Sequence, residues 1–215
     1  LAIWALVEAH KRGVKRPLQI ALSFDEEVGC TGAPPMIDRI METLPKASTV
    51  IVGEPSMMQA VTGHKGGRGY YTHIKGFEVH SSILHTGVNA IMYGAKLIDW
   101  ANDVNTANLA STPSDVAAPF FPPCTTAHVG MIEGGTAHNI TAKDCIFGMD
   151  FRVVPGENPL DWRDRYMEKV REVEVMMQAV VPETRIEVSE KFNVPPLVPE
   201  DGGECAPPSV RCITT

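Results

Sequence analysis

The sequence of 215 residues lacks features that would each point to a particular class of protein. It has no run of basic residues, and its formal charge of -7 argues against a nucleic-acid partner, because such binding usually requires a basic face. Its longest apolar stretches, such as 18–24, are far shorter than the roughly 20 residues of a membrane-spanning helix. We therefore expect a soluble protein with neither nucleic-acid nor membrane partners.

The cysteines are few and scattered. None of the 5 belongs to a C-x-x-C pair, the spacing typical of structural zinc sites and redox dithiols. A sparse, odd-numbered set suits a reducing compartment. We therefore expect a cytoplasmic protein whose cysteines are small buried apolar residues.

The composition is that of an ordinary globular protein, with 44% hydrophobic and 21% charged residues. The length is enough for one domain or two smaller ones. The segment Leu1–Glu8 predicts a helix that is apolar almost all round and needs cover from other structure. Because the residues 210–215 also stop without a helix terminator or a polar tail, we expect an internal piece of a longer protein.

The pattern of apolar residues divides the chain into two parts. The first part predicts a parallel sheet with a right-handed βαβ crossover, because apolar strands alternate with helices; the predicted elements are helices over 1–12 and 33–44 and strands over 17–24 and 49–52. The glycine-rich stretch 64–69 predicts a hinge and a domain boundary. The second part predicts a small α+β layer, with strands over 70–79, 126–132, 145–153 and 185–192, helices over 90–104 and 160–181, and a loop over 193–208.

Acidic residues follow both strands of the predicted parallel sheet. Asp25, Glu26 and Glu27 come after the first strand, and Glu54 comes after the second. The carboxyl ends of parallel strands share one rim of a sheet, where ligands bind. Carboxylates gathered there repel each other unless a cation lies between them, so the pattern favours a divalent metal site. The alternative is that they are solvated loop residues.

Six motifs occur in order along the chain: LSFDEEVGCTGAP, VGEPS, GHKGGRG, VHSSILHTGVNAI, GGTAHNI and MDFRVVPGENP. Their order and spacing resemble the co-catalytic zinc metallopeptidase and deacylase family, which includes acetylornithine deacetylase, succinyl-diaminopimelate desuccinylase, aminoacylase and glutamate carboxypeptidase. The resemblance is closest to acetylornithine deacetylase. It implies an α/β fold: part of a zinc-peptidase-like catalytic domain with a mixed or parallel sheet over 1–64, an inserted α+β, ferredoxin-like lid over 65–183, and a catalytic return segment over 184–215.

The resemblance also implies a role for each residue that matches a motif. Glu26 matches the general base that activates water and returns a proton to the leaving amine. Glu27 and Glu54 match ligands of two zinc ions per complete subunit, with cobalt as a substitute. His80 matches a histidine that reaches from the partner subunit to stabilise an oxyanion, although a surface histidine is the alternative.

Two further residues match substrate ligands. Asn139 and Arg152 are implied to bind substrate, Arg152 as a carboxylate clamp, with a structural salt bridge as the alternative. The sequence contains neither the upstream H-x-D ligands nor the downstream histidine that a complete enzyme of the family supplies. We therefore expect this piece alone to bind zinc weakly and to be inactive.

The implied function is hydrolysis of N-acetylornithine to ornithine and acetate, a step of arginine biosynthesis. The resemblance further implies a homodimer formed through the lid, with 90–104 and 70–79 as the contacting segments. Two alternatives remain open. One is a related hydrolase of N-acyl amino acids or peptides, such as a succinyl-diaminopimelate desuccinylase, a dipeptidase or an aminoacylase, and the other is a non-catalytic relative that keeps the lid.

Overall fold

The computed structural model describes residues 1–54, 56 and 60–199, and the backbone of 212–214. It contains two compact units, Leu1–Val52 and Gly53–Thr215. This division lies inside the predicted catalytic segment 1–64 rather than at its end. In the part of the chain that the structure describes, no helix is long and apolar enough to cross a membrane.

The smaller unit contains two helices, α1 (Ala2–Lys11) and α2 (Ala33–Thr43), separated by a short 3-10 helix over Glu26–Val28. Prolines occupy the first turn of α2, where a missing N–H removes no helical hydrogen bond. Both predicted helices are confirmed. Neither helix has a buried residue, so the cover expected for the apolar helix α1 is not provided by the residues of this unit.

The predicted strands over 17–24 and 49–52 are wrong, because the described residues of the smaller unit form no β-strand. Their side chains are exposed, as Leu22 (73%) and Ile51 (90%) illustrate. A parallel strand that is buried on both faces needs bonded neighbours and covering helices. In this unit no strand pairs with either segment, and neither helix has a buried residue. The parallel pairing in the described structure joins β1 (Ala60–Gly63) to β6 (Cys212–Thr214) instead.

The larger unit is built around a four-stranded antiparallel sheet. Its elements follow the order βαββαβ, and the strand order is β3-β4-β2-β5, which is the ferredoxin-like arrangement. The elements are β2 (Gly66–Lys75), α3 (Ala90–Ala110), β3 (Thr126–Gly134), β4 (Asp144–Val153), α4 (Pro159–Gln178) and β5 (Arg185–Val194). The predicted fold class, α/β with an α+β lid, is confirmed. Because β5 pairs with β2, the residues 185–194 lie in this sheet and not in a separate return segment.

Local sequence explains where the two long helices begin. The Asn89 side chain accepts hydrogen bonds from the amides of Ile91 and Met92, and the Asn158 side chain accepts one from the amide of Leu160. Such caps satisfy amide groups that have no partner inside the helix. Both helices then cover one face of the sheet, where the core contains Phe147, Phe151, Leu97, Tyr166 and Val173.

The glycine-rich stretch 64–69 is not a hinge. Gly66, Gly67 and Gly69 are buried inside β2. A Cβ atom at Gly69 would lie 2.3 Å from the nearest ring carbon of Phe192, and one at Gly67 would lie 3.0 Å from the same ring. The two glycines therefore let the Phe192 ring lie directly against the backbone of β2, which is a packing role.

Candidate active site

Asp25, Glu26 and Glu27 lie on a tight turn of the smaller unit. Asp25 and Cys30 adopt left-handed backbone conformations (φ 57° and 58°) on either side of the 3-10 helix, and such conformations cost roughly 1–3 kcal/mol in residues other than glycine. The carbonyl of Glu26 accepts hydrogen bonds from the amides of Gly29 and Cys30, both at 3.1 Å. The turn therefore presents Glu26 and Glu27 as consecutive, exposed carboxylates.

The carboxylates have the chemistry of metal ligands but form no complete set in the described structure. Glu54 is exposed and belongs to the larger unit, so its convergence with Glu27 stays a prediction. Within residues 1–54, 56 and 60–199, no three side chains of the types His, Cys, Asp or Glu are grouped to hold a metal ion. Zinc normally takes three or four protein ligands, so the described residues do not by themselves fit a finished zinc centre.

His80 lies at the start of a second short 3-10 helix, Ser81–Thr86. Its imidazole Nδ1 accepts a hydrogen bond from the amide of Ser82 at 3.2 Å and lies 2.8 Å from the Ser82 hydroxyl. The residue is exposed. His80 is therefore oriented by its own chain while remaining open to a ligand.

The structure brings Asn139 next to His80. The amide of Ser81 donates to the carbonyl of Asn139 at 2.8 Å, and His80 forms an isolated β-bridge with Ile140. One step further along, the amide of Thr141 donates to the carbonyl of Val79 at 2.9 Å. These bonds continue the pairing of β2 with β4 beyond both strands, so the two predicted site residues share one end of the sheet.

Arg152 lies at the other end of the same sheet. It pairs with Gly67 across β2 and β4, whereas the pair at the opposite end is Lys75 with Asp144. Eight residues of strand separate these pairs, which corresponds to about 26 Å. The Arg152 guanidinium contacts the Asp150 carboxylate at 2.9 Å and lies 5.9 Å from the centroid of the Phe192 ring. Within one chain, Arg152 and His80 therefore do not share a site.

Sequence reasoning missed the residues that hold the candidate site in place. Ser82 orients His80, and the Thr141 hydroxyl accepts from the amide of Val79 at 2.8 Å. The signal for Ser82 was present in the VHSS motif, because a serine two residues after a histidine can contact its Nδ1. The missed pair Arg68–Glu190 lies elsewhere, with 2.6 Å between its charged groups.

The two cysteines of the larger unit whose side chains the structure describes are buried, as expected. Cys124 and Cys145 are free thiols, and burial raises the pKa of both. A protonated, inaccessible thiol is a poor nucleophile. Cys30 is half-buried, while Cys205 and the side chain of Cys212 lie outside the described residues.

Several known proteins are similar to this chain. It is 33% identical over 158 residues to acetylornithine deacetylase from Myxococcus xanthus, covering 74% of this chain and 40% of that protein. It is 29% identical over 176 residues to a probable carboxypeptidase from Aspergillus terreus, covering 79% of this chain and 39% of that protein. The chain thus spans about 40% of the length of these curated relatives.

A solved structure shares the fold. The crystal structure of the aminobenzoyl-glutamate utilization protein from Klebsiella pneumoniae superposes with a TM-score of 0.54 at 15% identity, covering 86% of this chain and 46% of that one. Residues 62–176 match the family described as the peptidase dimerisation domain. Because this match covers more than half of the sequence, the chain belongs to the M20 peptidase dimerisation domain family.

Proposed function

We propose that the complete protein is a dinuclear metal amidohydrolase that converts N-acetylornithine to ornithine and acetate, a step of arginine biosynthesis. The observation that carries this proposal is the pairing of two exposed polar residues, His80 and Asn139, which backbone hydrogen bonds hold side by side. The similarity to the Myxococcus acetylornithine deacetylase supports the choice of substrate.

Each proposed residue has one role. Glu26 takes a proton from the attacking water and delivers it to the departing amine. His80 donates a hydrogen bond to the oxyanion that develops on the substrate carbonyl, while Asn139 and Arg152 bind the substrate. Glu27 and Glu54 are assigned as ligands of two zinc ions, with cobalt as the substitute metal, because carboxylate oxygens bind divalent cations.

The test uses the complete protein with N-acetylornithine as substrate. Glu26→Gln should abolish turnover while metal content stays unchanged, because the amide cannot accept the proton. The matched control is Glu42→Gln, which changes an exposed carboxylate of α2 and should leave turnover unaffected. Full activity of Glu26→Gln would assign the base to another residue.

A second candidate function is hydrolysis of peptides, which the similarity to the Aspergillus probable carboxypeptidase favours. Rates for N-acetylornithine, N-succinyl-diaminopimelate and a dipeptide, measured side by side on the complete protein, decide between the candidates. A preference for the dipeptide would replace the deacetylase proposal by the peptidase one.

We further propose that the protein forms a homodimer through the edge of the sheet. The predicted contact strand 70–79 is unsuitable for edge pairing, because β4 and β5 bond both edges of β2. The edge strand β3 instead exposes Met131 (70%) and Ile132 (54%). Its flanking helix α3 exposes Met92 (62%), in the predicted contact segment 90–104. A second copy of the chain would cover these apolar side chains.

One residue limits where the edge can pair. The Asn105 amide on α3 donates to the carbonyl of Ala127 at 2.7 Å, and its oxygen accepts from the amide of Ala127 at 2.8 Å. The start of β3 is therefore already bonded, which leaves the later part, Val129 to Gly134, for a partner strand. Pairing of backbone groups along an open edge is a common mode of association.

The dimer proposal is tested by sedimentation velocity. Met131→Glu should shift the protein to monomers, because it places a charge in the apolar contact. Val175→Glu is the matched control, since Val175 is equally exposed (67%) but lies on α4. Equal dissociation of both variants, or of neither, would contradict a contact at β3.

The remaining proposals concern the compartment of the complete protein and the activity of the 215-residue chain alone. We place the complete protein in the cytoplasm, because the free buried thiols Cys124 and Cys145 suit a reducing compartment. We expect the 215-residue chain alone to bind zinc weakly and to hydrolyse nothing, since its described residues bring no three metal donors together. Metal analysis and an N-acetylornithine assay check this, and zinc-dependent turnover by the chain alone would refute it.

A further inference from the structure

The imidazole of His80 has two distinct nitrogen environments. Nδ1 faces the amide of Ser82 at 3.2 Å and the Ser82 hydroxyl at 2.8 Å. Nε2 makes no hydrogen bond to any other residue that the structure describes. Nδ1 is therefore held by Ser82, whereas Nε2 of this exposed residue is open to a ligand.

The two hydrogen bonds to Nδ1 together set where the proton lies on the neutral ring. A backbone N–H can only donate, so Nδ1 must offer its lone pair to the Ser82 amide. The Ser82 hydroxyl then also donates to Nδ1, because that nitrogen carries no hydrogen. A neutral imidazole has one N–H, which leaves the proton on Nε2.

We infer that Ser82 is a positioning residue that holds His80 in the Nε2–H form, so that Nε2 is available as a hydrogen-bond donor to the substrate oxyanion. The inference rests on the proposed amidohydrolase function for its use, but the protonation state is a property of this chain alone. An oxyanion is stabilised by a hydrogen-bond donor. If the proton were on Nδ1, the exposed Nε2 would present a lone pair, which would repel the oxyanion.

Backbone hydrogen bonds hold the segment that carries the His80 ring in place. The bonds from Ser81 to Asn139 and from Thr141 to Val79 fix the segment that carries His80, and Ser82 then fixes the rotation of the ring. Ser82 thus acts on the reaction through His80 and does not touch the substrate itself.

The first test is nitrogen NMR of the 215-residue chain labelled with ¹⁵N-histidine, with the His80 signals assigned from His80→Gln. We expect an unprotonated Nδ1 and a protonated Nε2 in the neutral ring. Ser82→Ala removes one of the two donors and should raise the population of the Nδ1–H form. Ser81→Ala is the matched control, because it keeps the backbone bond to Asn139, and it should change nothing.

The second test measures the kinetics of the complete protein. Ser82→Ala should lower kcat about five-fold, which is the ratio that one neutral hydrogen bond of ordinary net strength corresponds to. KM and metal content should stay unchanged, and Ser82→Thr, which keeps the hydroxyl, should restore the rate. Ser81→Ala should again be silent.

The outcomes separate this inference from the proposed function. A wild-type His80 with its proton on Nδ1, or a Ser82→Ala variant with an unaltered ratio of the two forms, would overturn the inference whatever the activity. An unchanged kcat in Ser82→Ala would overturn the link to catalysis. A complete protein inactive on all N-acyl substrates would refute the proposed function, while the NMR result would still decide the protonation state.

Discussion

The close contact between Phe192 and the glycines of β2 makes a quantitative prediction about stability. A Cβ atom added at Gly69 would lie 2.3, 2.6 and 3.0 Å from three ring carbons of Phe192, distances at which the ring must move. Overpacking of this kind costs about 1–3 kcal/mol, whereas replacing glycine by alanine in a strand recovers roughly 0.5–1 kcal/mol. We therefore expect Gly69→Ala to lower the free energy of unfolding by about 1–2 kcal/mol.

Gly148 provides the matched control on the neighbouring strand β4. A Cβ atom there would meet nothing within 4 Å, so Gly148→Ala should be neutral or stabilise by about 0.5 kcal/mol. Urea denaturation followed by circular dichroism compares both variants with the wild type, and the reasoning requires a changed midpoint with an unchanged m-value.

A double variant isolates the contact itself. With Phe192→Ala as the background, the ring is absent and Gly69→Ala should lose its cost, which gives a coupling energy between the two positions. If Gly69→Ala is as stable as Gly148→Ala, or if its cost persists without the ring, the packing role assigned to Gly69 is wrong.

Three further predictions concern charges and thiols. Arg68→Met should lower the free energy of unfolding by about 1.5–3 kcal/mol, because Arg68 is buried and donates two hydrogen bonds to Glu190. Arg39→Met is the control and should cost under ~0.5 kcal/mol, because its partner Glu42 is exposed. Equal losses of the two variants in urea denaturation would contradict this prediction. Hydrogen bonds from Lys75 and Arg185 lower the pKa of Glu187 from 4.5 to about 2, so these bonds stabilise the fold above pH 4.5 and cease to do so as the pH falls toward 2. The difference in unfolding free energy between wild type and Glu187→Gln should therefore shrink between pH 4.5 and pH 2. A difference that stays constant over this range would refute the assignment. Burial raises the pKa of Cys124 and Cys145, so peptide mapping after brief alkylation of the folded chain should find Cys30 modified before either of them. Early modification of Cys145 would contradict the burial.

The elements of the larger unit could be predicted because their signals are local. The caps Asn89 and Asn158 immediately precede their helices, and the alternation along 145–153 matches β4, whose buried residues are every second one. Propensity, capping and pattern agree there, so each element is specified by its own residues. Most predicted boundaries lie within three residues of those observed, but β2 begins and ends four residues earlier than the predicted strand 70–79, and α3 ends six residues later than the predicted helix 90–104.

The errors arise where the conformation depends on distant residues. The apolar runs 17–24 and 49–52 have the pattern of buried strands, yet a strand exists only if neighbours bond its edges, and a single segment does not specify those neighbours. The stretch 64–69 has the composition of a hinge, but Phe192, far along the chain, turns its glycines into a packing surface. The extra residue in β5, Lys191, which shifts the register beside Gly69, is likewise invisible in the local sequence.

The candidate site follows the same division. The motifs gave His80 and Asn139 separate roles and did not predict that the two residues are adjacent, because their adjacency depends on backbone bonds between segments that are far apart in the sequence. The separation of Arg152 from both could not be read from the motifs, because it depends on the register of β2 with β4. The convergence of Glu27 with Glu54 stays a prediction of the motifs.

The separation of Arg152 from His80 determines how one active site must be assembled if both bind one substrate. About 26 Å of sheet lies between their ends of β4, which is far longer than an N-acyl amino acid. Two chains of a dimer must then contribute, with Arg152 from one and His80 from the other. In the complete protein, a mixture of His80→Ala and Arg152→Ala subunits should regain activity, because a mixed dimer has one site with both residues intact. If each variant is inactive and the mixture remains so despite proven subunit exchange, Arg152 serves only as the partner of Asp150.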